Sequence, residues 1–358
     1  MFRGRVVVQF REGSANLSAE REAMTHPETP ATSDHVENRD TRTGPRSVAV
    51  DLVRVVGVVA IVAAHNWGER PWAHPWFYTW HVPVFFVITG YLWKSDRRTS
   101  RELANRARTL LVPYVAWLVV VTLVMQGFLL TRGGMVTDGL LRAMVLGGSH
   151  LARPYSTFWF VTALFSAAVL MRFLQNRVAF LPWVVGGLGL AWAATDPAGL
   201  SAVPQSLGLA LPALVFIGVG MVLRRHRERI TDPLVVGAVL LVPALVLGGR
   251  GVFASLDMKI GVLGQPLVGV FMASAISCGA ILVAEGTERW LPRWTRRVVT
   301  EVAQVSLPII MAHTLVFALF EQSGVALSKW SFVVAYGAPL VLGLVLARTP
   351  ARAIFLGR

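Results

Sequence analysis

The sequence predicts an all-α polytopic integral membrane protein with about ten transmembrane helices and both termini cytoplasmic. Three observations carry this. Hydrophobic residues make up 54% of the chain and charged residues only 15%. The apolar residues gather into runs that approach or reach the roughly 20 residues a helix needs to cross a bilayer, with short polar pieces between them. Finally, 26 of the 34 Lys and Arg residues fall on the side of the termini and 7 on the other, with Arg54 inside a span. Positive loops stay inside, so this asymmetry sets the orientation.

Residues 1–45 are polar, rich in Pro, Thr, Asp and Glu, and hold no apolar stretch long enough for a signal peptide. They read as a disordered cytoplasmic tail, with Met24 as an alternative start. The spans follow at 47–67, 76–93, 109–130, 157–174, 179–195, 207–223, 233–249, 260–284, 302–321 and 330–348. The fifth to seventh are short and rich in Gly and Pro. Residues 46–348 form the transmembrane domain and 349–358 a short basic cytoplasmic tail, leaving no room for a second complete domain. Cys278, the single cysteine, excludes an intrachain disulfide and reads as a packing residue. The net charge of +14 is assigned to topology and lipid contact, not to nucleic acid.

Polar residues inside the spans are then the informative ones. Arg54 and His65 stand eleven residues apart in the first span. Eleven steps of about 100° return to nearly the same face, with about 16 Å of rise between them. A charge in hydrocarbon costs about 2.5–3.5 kcal/mol on insertion scales, so it persists where it meets a cavity, a partner or a ligand. Asp51, three residues before Arg54, can hold the guanidinium. Two readings stand open: a structural ion pair, or an arginine aimed at an anionic ligand from the cytoplasm. His65 is either an interfacial anchor or a general base. Glu69, four residues on, has the spacing to orient its imidazole, although Trp67, Gly68 and Pro71 suggest that the helix has ended. His81 and Pro83 lie near the outer end of the second span. Arg106 and Arg108 close a basic loop before the third, as plain positive-inside charge or as a bidentate grip on phosphate. Trp67, Trp72, Trp76, Phe77 and Trp80 crowd the outside, as an interfacial belt or a sugar-stacking surface. The outer loop 131–156, with Arg132, Asp138, Arg142, His150 and Arg153, is the expected acceptor gate. His313 lies mid-span, for structure or for the site. No metal site is expected.

Ordered motifs give these residues a context. Arg46, Asp51, Arg54 and His65 match one first-helix pattern, and His81, Pro83, Phe85, Phe86, Gly90 and Tyr91 match the second, with Thr89 where a serine is usual. Arg106 and Arg108 precede Leu110, Leu111, Pro113 and Tyr114. Trp159 and Phe160 open the fourth helix, and Ser306, Leu307 and His313 come late, with Ile310 or Met311 in place of an aromatic. In these five motifs the chain resembles the membrane-bound acyltransferase-3 family, over about residues 46–348.

The resemblance implies a multi-pass protein of the inner, cytoplasmic membrane that moves an acyl group, usually acetyl, from cytoplasmic acyl-CoA to a hydroxyl of a sugar, glycan or lipid-linked precursor. It implies His65 as the base, Asp51 and Arg54 along the acyl path, and Arg106, Arg108 and Arg54 on the donor's phosphates. His81, Trp159, His313 and Glu69 are the expected acceptor-side residues. Acyl-CoA is expected as a donor substrate with no tightly bound cofactor. An acyl-histidine intermediate is the competing chemistry. An N-acetyl or lipid- or antibiotic-tailoring acyltransferase, and a solute transporter using the Arg54/His65 track, are the alternatives.

Overall fold

In a computed structural model the protein is described over residues 47–135 and 138–358. The tail 1–45, Met24 and Arg46 lie outside the described residues. The first helix, α1 (Val48–Asn66), begins because Ser47 caps it, its hydroxyl accepting the Val50 N–H at 3.3 Å, and because Asp51 places negative charge in the first turn. It ends at Trp67, ahead of Gly68 and Pro71.

The next span is not continuous as expected. A π-helical turn, His74–Tyr78, leads through a break to α2 (Pro83–Tyr91), whose nine residues are all buried. Nine residues rise only about 14 Å. Pro75 and Pro83 supply the reason, since each lacks the N–H that a helix interior requires.

The helix that carries the third span begins ahead of it: α3 (Thr99–Arg106), a π turn at Ala107–Leu111 and α4 (Val112–Leu130) form one helical run of 32 residues, polar in α3 and apolar after it. Arg106 and Arg108 therefore sit on helix and not in a loop. Outer residues 138–156 hold α5 (Asp138–Leu146) and a 3-10 turn. Then come α6 (Phe158–Gln175), α7 (Leu181–Thr195), α8 (Pro197–Ala202), α9 (Leu207–His226), α10 (Pro233–Gly249) and α11 (Pro266–Thr287). Residues 260–265, expected in the eighth span, instead belong to the loop before α11, stapled by a bridge between Asp257 and Val262.

The ninth span also differs. α12 (Arg293–Gln304) and α13 (Ser306–Gln322) meet at a 61° bend, and α12 carries Arg293, Arg296 and Arg297 beside exposed Trp294 and Val298. An amphipathic helix of this kind suits the membrane interface. α14 (Lys329–Leu346) follows. The end of the chain turns back through α15 (Arg352–Phe355), where the Trp117 indole donates to the Phe355 carbonyl at 3.0 Å.

Among the described residues six helices are long and apolar enough to cross a membrane, or seven if the bent pair is one span. The helices at α6 and α9 are about two thirds buried, those at α1 and α11 nearly as much, whereas α4 and α14 are mostly open. The molecule thus has an inner group of helices and an outer, lipid-facing shell. Close approach in the inner group is set by glycine. A Cβ on Gly90 of α2 would lie 1.8 Å from the Ile217 carbonyl oxygen of α9, and one on Gly220 would lie 2.0 Å from that of Val87.

A buried arginine locks the other end of α6. Arg172 is fully buried, donates to the Ser95 carbonyl (3.0 Å) and that of Lys94, and lies 4.3 Å above the Trp93 ring. It ties the connection after α2 to the last turn of α6, where a cation also suits the helix dipole. Nearby, Tyr91 and Arg227 both donate to Glu285, joining α2, α9 and α11.

Candidate active site

His65 comes to the site on the last turn of α1, and its partner comes from the far end of the chain. His65 Nδ1 lies 2.8 Å from His313 Nε2, with the rings nearly parallel at 19°. His313 is fully buried in α13, and its Nδ1 lies 2.8 Å from the Ile309 carbonyl. These contacts fix both tautomers when the rings are neutral. A carbonyl only accepts, so His313 carries its proton on Nδ1 and its Nε2 is an acceptor. His65 must then donate from Nδ1. Its Nε2 keeps a lone pair, and that is the nitrogen left for the cavity that His65 lines. The Glu69 partnership suggested by spacing is not formed: α1 has ended, and Glu69 is exposed.

The cavity has a volume of about 380 Å³. His81, buried, lines it and is held by its own Nδ1, 2.8 Å from the Phe77 carbonyl. Trp159, also buried, and Tyr78 add aromatic walls. None of Trp67, Trp72, Trp76, Phe77 and Trp80 lines it, and Trp67 stacks instead on Phe332 at 5.1 Å.

The loops around the cavity are tied down. Arg153 donates to the His65 carbonyl at 2.7 Å and pairs with Glu321 of α13, so one guanidinium binds the end of α1 to the end of α13. Thr157 donates to the Ile310 carbonyl (2.9 Å) and Thr314 to that of Pro154 (2.6 Å). Of the charged residues expected at an outer gate, Arg153 lines the cavity. Arg132 donates to the Gln322 carbonyl, His150 lies 3.3 Å from the Ala202 carbonyl and Arg142 is exposed, while the Asp138 side chain lies outside the described residues.

Two cavity residues carried no sequence signal. Asp257 and Lys259 arrive on the loop between α10 and α11, anchored by buried Leu256, Met258 and Leu263. Asp257 Oδ1 accepts the Lys259 N–H (3.0 Å), and Lys259 Nζ donates to the Leu151 carbonyl (2.7 Å). Burial raises the Asp257 carboxyl above its ordinary pKa and lowers the Lys259 ammonium below its own.

The charged residues expected on the donor side lie apart from this cavity. Arg54 is part-buried and 3.4 Å from the fully buried Asp51, confirming their i, i+3 contact. Neither lines the cavity, nor do Arg106 and Arg108. Arg106 donates from Nε to Glu102 at 2.7 Å, and Arg97 donates to the other oxygen at 3.2 Å. Glu102 is almost wholly buried, and sequence reading missed it. Arg108 is exposed, because two steps along a helix turn the side chain about 200°. The pair therefore does not close on one point. The π turn that follows Arg106 is a feature often found at functional sites.

This is a bundle of membrane helices in which a hydrogen-bonded histidine pair sits beside a cavity that one of its members, His65, lines. The acyltransferase domain family matches residues 47–348, and the chain belongs to that family, acyltransferase-3. It is also similar to nodulation protein NolL of Mesorhizobium japonicum, with 24% identity over 177 residues, covering 45% of this chain and 44% of that protein. The chain thus matches less than half the length of this curated relative. No solved structure matches it.

Proposed function

We propose that the protein is a membrane O-acyltransferase that takes an acyl group, acetyl in the simplest case, from cytoplasmic acyl-CoA and places it on a hydroxyl of a cell-envelope sugar, glycan or glycolipid. The observation that carries this is the chain from His65 through His313 to the Ile309 carbonyl, which leaves the lone pair on Nε2 of a residue that lines the cavity. Such a nitrogen is a neutral general base held in one orientation. It accepts the proton of the acceptor hydroxyl as the oxygen attacks the thioester carbonyl. The C–S bond then breaks, and the proton passes to the departing sulfur. Throughout, His313 Nε2 remains an acceptor for the Nδ1–H and so steadies the imidazolium.

In this reading ten segments cross the inner membrane, several of them broken or short, with both termini in the cytoplasm. Arg106, held in place by Glu102, and Arg108, turned to a different face of the helix, contact the donor's phosphates separately, and Arg54 with Asp51 lines the path of the thioester arm. The family membership supports an enzyme over a transporter, and the histidine geometry suits proton abstraction. Purified protein in liposomes given labelled acetyl-CoA and envelope extract tests it. Label appearing on extract glycans supports the proposal, and solute movement without thioester loss sinks it.

Two consequences follow from the partners. His313→Ala leaves His65 free to rotate and to exchange tautomers, and transfer is expected to fall about 10²-fold, with the KM for acyl-CoA unchanged. Turnover equal to wild type would remove His313 from the mechanism. Glu102→Gln releases Arg97 and Arg106 from their shared carboxylate, and the KM for acyl-CoA is expected to rise about 3–10-fold with little change in kcat, read by steady-state kinetics.

A further inference from the structure

Asp257 and Lys259 have no part in the chemistry assigned to His65, yet both line its cavity. Their position is prepared. Leu256, Met258 and Leu263 sink the loop into the core, the Asp257–Val262 bridge closes it, and Lys259 is fastened across to the outer loop at Leu151. The loop thereby brings a half-buried carboxylate and a half-buried ammonium to the same cavity.

Each of the two keeps hydrogen-bonding capacity after its internal bond is made. A carboxylate has about four acceptor positions, and the backbone N–H groups of Lys259 and Ile260 take two of them. An ammonium has three donors, and one goes to Leu151. Arg153 differs, since its guanidinium is committed to Glu321 and to the His65 carbonyl. A hydroxyl both donates and accepts, so hydroxyls can satisfy a carboxylate and an ammonium together. An anionic acceptor would meet Asp257 unfavourably, and a cationic one would meet Lys259 and Arg153. The Tyr78 and Trp159 walls suit the apolar face of a sugar ring.

We infer that Asp257 and Lys259 bind hydroxyls neighbouring the one that is acylated, so that the acceptor is a neutral polyol of the sugar type that must carry a second free hydroxyl beside the reacting one. This rests on the acyltransferase reading above and names its acceptor class. The pair acts on specificity, while His65 acts on the proton.

The test uses the full-length protein in liposomes with labelled acetyl-CoA, a set of octyl glycosides and their monodeoxy counterparts. Wild-type protein is expected to acylate an octyl glycoside and to lose about tenfold or more in kcat/KM when the adjacent hydroxyl is removed. Asp257→Asn retains a carbonyl oxygen for the Lys259 N–H, so the loop cap survives. In this variant the intact glycoside is expected to fall to the deoxy level and the deoxy penalty to shrink below about twofold, with the KM for acetyl-CoA within about twofold of wild type. Lys259→Gln, which removes the charge and keeps a donor, provides a second variant with the same expected loss. A deoxy penalty of wild-type size in both variants overturns the inference. Transfer to envelope extract but to no glycoside overturns the sugar-hydroxyl assignment alone. Absence of transfer by wild-type protein to any acceptor overturns the acyltransferase reading and the inference with it.

Discussion

His65→Ala is expected to give a protein that inserts and folds normally yet transfers acyl groups about 10²–10⁴-fold more slowly, the usual contribution of a positioned general base. Folding should survive because His65 is at the end of α1, half-buried, and its carbonyl bond to Arg153 does not involve the side chain. The loss should fall on kcat, since a base that acts only as the proton moves contributes little to ground-state binding. His65→Gln should be nearly as slow, because an amide offers hydrogen bonds and no basic nitrogen. Donor-only incubation with labelled acetyl-CoA separates the two chemistries open to this residue. Direct transfer leaves the protein unlabelled, whereas an acyl-histidine intermediate would leave the label on it. Full turnover by the alanine variant would falsify both.

Gly220→Ala is expected to have the largest effect on stability. The added methyl would lie 2.0 Å from the Val87 carbonyl oxygen and 2.7 Å from the Tyr91 nitrogen, both backbone atoms of α2. No rotamer change relieves a clash between backbones, so α2 and α9 must separate, at a cost of about 3 kcal/mol or more. Because α2 is short and wholly buried, it has no lipid-facing side on which to retreat. Melting of detergent-solubilised protein, followed by size-exclusion chromatography, should show a lower midpoint and a lower folded yield. A midpoint unchanged within about 2 °C would mean that the contact is not as rigid as the geometry requires. Gly187→Ala, at a position with open space around its Cβ, is the control.

The residues show why some of the site was legible and some was not. α1 could be read because its signals are local: a run of apolar residues, and two polar groups whose spacing returns to one face. The break before α2 was not read, because the length of the apolar run suggested a continuous span despite Pro75 and Pro83. α12 was concealed by its arginines, which look like loop charge until the apolar face beside them is seen on a helix. Periodicity carries no information about partners distant in the chain. That His65 meets His313, and that Glu102 gathers Arg97 and Arg106, depend on packing that no local pattern encodes. Arg172 reads as ordinary flanking charge, while in the fold it is fully buried against the carbonyls of Lys94 and Ser95. Asp257 and Lys259 belong to a loop of ordinary composition, and only the depth to which Leu256 and Met258 pull it gives them a place beside His65.

The hydrogen bond from His65 to His313 spans 248 residues of sequence. During synthesis, α1 enters the membrane long before α13 has been translated. A ribosome-bound or truncated chain would therefore display His65 with its imidazole unoriented. The oriented imidazole arrives only with the ninth predicted span, late in biogenesis. The same long-range bond makes the histidine pair a natural reporter of completed insertion.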